Sequence, residues 1–149
     1  MASTLSNATL SVTVTESLLL NGTNHGSTKK ITIAGVNEVS KRILTCATTP
    51  GTQIYAGGSE AKYGTFVTAD VKYIRITNLD DTNFVVLHLE GNSHYTQLKL
   101  APGHVFFLTS ISSSFDSASA VATPAEDITR IDAMADTAAV DVEIIVASS

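Results

Sequence analysis

Tryptophan is absent from this chain, cysteine occurs once, and lysine and arginine together account for only 9 of 149 residues. The lone cysteine, Cys46, excludes an internal disulfide. Its neighbours Leu44, Thr45 and Ala47 predict a small buried side chain in a strand rather than a reactive thiol, which needs a basic partner. Basic residues adjoin only at Lys29-Lys30 and Lys41-Arg42, and the net charge is −5. Such a chain lacks the basic face that neutralises phosphates, so direct nucleic-acid binding is not expected. No window approaches the roughly 18 apolar residues of a membrane span, so no membrane partner is expected. The opening MASTLSNATL has neither the charged nor the apolar region of a secretory signal, which predicts synthesis in a cytoplasm and a soluble product. On that reading Asn7-Ala8-Thr9 and Asn21-Gly22-Thr23 match the glycosylation pattern by chance. No G-x-S-x-G, P-loop or G-x-G-x-x-G motif occurs. The expectation is a non-enzymatic protein with no catalytic residues, no cofactor and no metal.

Valine, isoleucine and threonine are abundant, while the good helix formers glutamate, lysine, glutamine and arginine are sparse. Strand periodicity follows. Leu10, Val12 and Val14 alternate with Ser11, Thr13 and Thr15. Leu18-Leu19-Leu20 runs into the turn-rich NGTNHG, and short apolar runs follow at 30–34, 42–46 and 53–55, bounded by Gly or Pro. Residues 72–108 read as four strands in close succession, and 128–148 as a closing pair. About nine or ten strands at this spacing indicate an all-β, antiparallel β-sandwich. Residues 1–149 form one domain, and the low-complexity TSISSSFDSASAVATPAED at 109–127 is a Ser/Ala-rich loop or arm.

The stretch KYIRITNLDDTNFVVLHLEGNSHYTQLKL places His88, Glu90 and His94 close together in sequence. Alternate residues of a strand share a face. Val85, Leu87 and Leu89 therefore face the core, with His88 and Glu90 on the other side. Leu98 and Leu100 carry Thr96 and His94 to the core side of the next strand. Matching the two faces predicts Leu89 opposite His94 and Leu87 opposite Thr96, with Gly91-Asn92 as the turn. The two histidines then lie on opposite faces and cannot share one metal. A register one residue different would unite His88, Glu90 and His94 as a zinc set. It would also turn Leu98 and Leu100 outward, at about 1.5–3 kcal/mol each.

The same matching predicts that Ile74 and Ile76 pair with Val85 and Leu87 across a loop at 79–82. Asn78 and Asp81 would then serve the turn, and Asp80-Asp81 lacks the oxygen count of a calcium site. At the end of the chain, Ile131, Ala133 and Ala135 match Val140, Val142, Ile144 and Val146. Pairing Ala135 with Val140 sets Asp132 opposite Glu143, a repulsion that Arg130 would relieve, with a surface cation as the alternative. Phe84 and Val86 alternate with the first core stripe, and Phe106 and Leu108 with Val105 and Phe107. Strands apolar on both faces suggest a covered second side, so Phe84, Val86, Phe106 and Leu108 are the expected oligomer interface.

The blocks VKYIRITNLDDTNFVVLHLEG, LKLAPGHVFFLTS and DITRIDAMADTAAVDVEIIVAS resemble small β-structural virion proteins of tailed bacteriophages, of the capsid cement or decoration type. The likeness covers about half the chain, from Val71 onward. It implies a jelly-roll-like sandwich, a homotrimer, and a place on the virion's capsid surface against the major capsid protein, whose capsomers it would bridge. The rival expectation is a phage tail or receptor-binding module that holds carbohydrate. Tyr55, Tyr63, Tyr73 and Tyr95 are its candidate platforms.

Overall fold

The computed structural model describes residues 5–113 and 125–149. Apart from a 3-10 turn at Thr68–Asp70, its regular elements are all strands. An N-terminal arm comprises β1 (Ala8–Thr15), β2 (Leu19–Leu20), β3 (Thr23–Asn24) and β4 (Thr28–Val36). The body begins with β5 (Glu38–Cys46), β6 (Thr52–Gly58), β7 (Phe66–Val67) and β8 (Val71–Asn78). It continues through β9 (Val85–Glu90), β10 (Tyr95–Leu100) and β11 (Val105–Leu108). The short β12 (Ser112–Ser113) and β13 (Glu126–Asp127) precede β14 (Arg130–Ala135) and β15 (Val140–Ser148).

Two sheets make the sandwich. One has the order β11-β8-β15-β5, and the other β10-β9-β14-β6 with β7 added at its edge. All of these pairs are antiparallel except β6 with β7. The pairing is nested: β5 lies beside β15, β6 beside β14, β8 beside β11, and β9 beside β10. A long two-stranded ribbon rolled onto itself has this order.

Period-two alternation supplies the core between the sheets. Ile74 and Ile76 of β8, and Val140, Val142, Ile144 and Val146 of β15, are buried from one side. Val85, Leu87 and Leu89 of β9, and Ile131, Ala133 and Ala135 of β14, meet them from the other. The stripes expected on β8, β9, β14 and β15 face the core, whereas on β11 the inward pair is Phe106 and Leu108 rather than Val105 and Phe107.

Their pairing differs from the expectation in two places. β8 and β9 are not a hairpin, and neither are β14 and β15; each connection crosses from one sheet to the other. Matched apolar stripes can lie side by side in one sheet or face to face across about 10 Å of core, and both arrangements bury the same residues. The crossing after β8 is fastened by the buried Asn78. Its Nδ2 donates to the Asn83 carbonyl at 2.9 Å and the Leu100 carbonyl at 3.2 Å, and its Oδ1 accepts from the Asp80 N–H at 2.9 Å. Asp80, rather than Asp81, then accepts from the N–H groups of Thr82 at 2.7 Å and Asn83 at 2.6 Å. At the end of β14, the Ala135 N–H donates to the carbonyl of Ala47, which follows β5 of the other sheet, while the Asp136 N–H donates to Phe84 and prolongs the β9–β14 ladder.

β9 and β10 do form a hairpin, with Leu89 opposite Thr96 and Leu87 opposite Leu98. The register sits two residues from the expected one, so every face assignment survives. The turn is Asn92-Ser93, closed by the Gly91 N–H to the His94 carbonyl at 2.8 Å. Gly91 is reserved for another purpose: a Cβ there would lie 2.6 Å from the Glu126 carboxyl carbon.

The arm is a hairpin of β1 and β4 whose tip is the small β2–β3 ladder. Asn21 (φ 50°) and Gly22 (φ 78°) supply the two positive dihedrals of a tight type I′ turn. Its apolar face, Leu10, Val12 and Ile33, packs on Val36, Tyr73 and Ala147. Of the predicted loop or arm at 109–127, residues 114–124 lie outside the described residues. Its described ends are tied in, with Ile111 buried and β12 paired to β13.

Truncating the centre of the core should be costly. Leu87→Ala should lower unfolding free energy by about 2–5 kcal/mol in chemical denaturation, and exposed Thr96→Ala should change it by no more than about 0.5 kcal/mol.

Candidate functional surface

Odd-numbered residues of β5, β11 and β15, and of β8 from Tyr73 onward, turn away from the core between the sheets and form the outer face of one sheet. The register sets Val105, Thr77, Glu143 and Ile43 in one row, and Phe107, Arg75, Ile145 and Lys41 in the next. In a third row of Tyr73, Ala147 and Val39, the arm covers Tyr73 and Ala147 and leaves Val39 exposed. At the centre, Glu143 accepts from Lys41 Nζ at 3.1 Å and from Arg75 Nη2. The hydrogen bond from Lys41 is the largest influence on the Glu143 carboxyl. Burial opposes it, Arg75 adds to it, and the net effect holds the carboxyl below its ordinary 4.5. Around this ion group Val39 is 63%, Ile43 60%, Val105 50% and Phe107 38% exposed. Apolar side chains grouped on one sheet face around a fixed charge cluster have the composition of a contact surface.

The expected interface residues divide differently. Phe106 lies opposite Ile76 and Leu108 opposite Ile74. Cross-strand partners share a face, so Phe106 and Leu108 point inward and pack against the core. Val105 and Phe107 are the outward pair on β11. Phe84 and Val86 belong to the other sheet and are half-buried on its outer side, where Lys99 Nζ lies 3.9 Å from the Phe84 ring centre. The four residues therefore form no common patch. The exposed face of β5 and β11 had a sequence signal in Val39, Ile43, Val105 and Phe107. Reading it required knowing that these two strands flank β8 and β15.

The histidines also separate. His88 sits on the outer side of the second sheet, with Gln97 Nε2 3.2 Å from its Nδ1 and the Tyr95 ring 5.1 Å away. His94 Nδ1 lies 2.9 Å from Glu126 Oε1. Glu126 Oε2 accepts from the N–H groups of Asn92 at 2.9 Å and Ser93 at 3.1 Å, which fastens the segment around β13 to the β9–β10 turn. Burial alone would raise the Glu126 carboxyl, but the Ser93, His94 and Asn92 hydrogen bonds and the His94 charge outweigh it, so its pKa is lowered. Glu90 lies across from Arg130 and does not join His88 and His94. Asp132 and Glu143 are in different sheets, so the predicted repulsion does not arise. Arg130 Nε binds Asp132 at 2.9 Å. No group of three or more His, Cys, Asp or Glu is arranged to hold a metal ion among the described residues.

Cys46 is fully buried, and its thiol is pushed up to about 11 by burial and then by the Asp141 charge. The Asp80 carboxyl is held low by the N–H groups of Asn83 and Thr82. Of the tyrosines, Tyr55 and Tyr73 are buried and Tyr95 packs on His88, whereas Tyr63 is fully exposed.

The class these features define is an antiparallel all-β sandwich with an N-terminal hairpin and one outward face rich in apolar side chains. No family model matches the chain, and neither a curated protein nor a solved structure matches it.

Glu143 and Asp80 have folded-state pKa values below their ordinary 4.5 and 3.8. Their contribution to stability is complete above those ordinary values and is lost as pH falls through the lowered ones. The denaturation midpoint should therefore fall as pH drops below about 4.5, and the fall should be smaller in a Glu143→Gln, Asp80→Asn variant. A thiol reagent at pH 8 should leave native Cys46 unmodified and label it fully once the chain is unfolded.

Proposed function

We propose that this protein is a non-enzymatic virion structural protein of the capsid cement or decoration kind. In this reading it associates with copies of itself, as a homotrimer, and with the major capsid protein on the capsid surface, bridging neighbouring capsomers. The observation that carries the reading is the outer face of β5, β15, β8 and β11, with Val39, Ile43, Val105 and Phe107 exposed around Lys41, Glu143 and Arg75. Desolvating those four side chains against a partner is favourable at roughly 25 cal/mol per Å² of apolar area. The ion group fixes how the partner must be oriented.

Two further features support it. The nested strand order is read here as a jelly roll, an architecture that viral capsid and lectin domains share. Fold-level likeness alone does not assign a function, so the reading rests on the surface. The arm presents Leu18, Leu19 and Leu20 exposed near its tip, an apolar end suited to reaching a neighbouring subunit. On a lattice, each occupied contact raises the effective concentration of the next, so weak contacts repeated many times stabilise a shell without chemistry.

Sedimentation and particle imaging test this. The chain should sediment as a trimer at micromolar concentration and appear as regular density on tailed-phage heads. Ile43→Asp with Phe107→Asp should abolish both while leaving the fold intact. A stable monomer that binds no head would refute the proposal.

A further inference from the structure

A groove of about 770 Å³ opens at the side of the sandwich where the start of β5 meets the 61–67 segment and the end of β15. That volume lies within the range of small-ligand sites. One wall is aromatic. Phe66 lines the groove and is stacked from behind by buried Tyr55, with ring centres 5.7 Å apart and planes 10° apart. Gly57 lets this wall form, because a Cβ there would come within 2.7 Å of the Tyr55 hydroxyl. Tyr63 lines the same groove and is fully exposed.

The other wall is polar and close to charge-balanced. Arg42 spends one N–H on the Ile54 carbonyl at 3.1 Å, which orients its guanidinium at the groove. Glu38 accepts from Ser148 Oγ at 3.3 Å, and Asp70 lines the groove beyond it. Lys62 is offset by Glu60 at 3.7 Å. A strongly charged ligand would meet a like charge on this wall. A ring with an apolar face and several hydroxyls would meet aromatic carbon on one side and matched donors and acceptors on the other.

We propose that this groove binds a neutral saccharide unit through Tyr63, Phe66, Arg42, Glu38 and Asp70. The site is separate from the apolar sheet face, so the assembly reading stands or falls on sedimentation and particle imaging, independently of this groove.

The test is a nuclear magnetic resonance titration of the isotope-labelled full chain. Glucose, galactose and N-acetylglucosamine are the probes, with glucuronate and glucosamine as charged controls. At least one neutral sugar should give saturable shifts confined to residues 38–42, 61–67 and 148–149. Tyr63→Ala, at a fully exposed position that should not perturb folding, should weaken binding tenfold or more, and Arg42→Lys should weaken it as well. A glycan array then separates a free sugar from a terminal residue of a surface glycan, and binding in either form upholds the proposal. No saturable shift with any neutral sugar would overturn it. So would shifts confined to other residues, charged sugars binding as tightly as neutral ones, or a Tyr63→Ala variant with unchanged affinity.

Discussion

Two sheets held face to face by alternate aliphatic residues are the constraint from which the other features follow. Leu87 and Leu89 on one side and Ile76, Val142 and Ile144 on the other are each nearly or fully inaccessible to solvent. Burying a side chain of this size is worth about 1.5–3 kcal/mol, so sliding any one of these strands by a single residue is prohibitive. With the inner faces fixed, the outer faces are fixed too. Glu143 meets Lys41 and Arg75 because all three occupy outward positions in adjacent strands.

The same constraint explains what the sequence could and could not reveal. Strand identity, the facing of β8, β9, β14 and β15, and the separation of His88 from His94 were legible, because each depends only on parity along an alternating stretch. The choice of partner strand was not legible. Val140, Val142 and Ile144 match Ile131, Ala133 and Ala135 equally well as neighbours or as opposing layers. The choice rests on small latches such as Asn78, whose buried amide spans residues 83 and 100. A single polar residue followed by two aspartates looks like any turn in sequence. Its role as a bridge between layers emerges only when Leu100 is brought beside it.

That distinction moved the candidate surface. In sequence, Val105, Phe106, Phe107 and Leu108 are apolar without interruption, so alternation alone does not tell which pair faces outward. In the structure β11 borders β8, so its parity is set by Ile74 and Ile76 and its outward pair is Val105 and Phe107. The idea of a second apolar face survives on a different set of strands. Glu126 shows a similar effect at smaller scale. Its carboxylate covers Gly91 and holds the N–H groups of residues 92 and 93, and with Gly91 reserved in this way the β9–β10 turn falls on Asn92-Ser93.

The outward face exists as one surface only if β5 and β11 flank β8 and β15. Proton–proton contacts between backbone atoms in solution test that arrangement directly. The structure predicts cross-strand contacts from β15 to both β5 and β8, with Glu143 near Ile43 and Thr77. Contacts placing Glu143 opposite Asp132, as in a β14–β15 hairpin, would contradict it and would disperse the proposed surface.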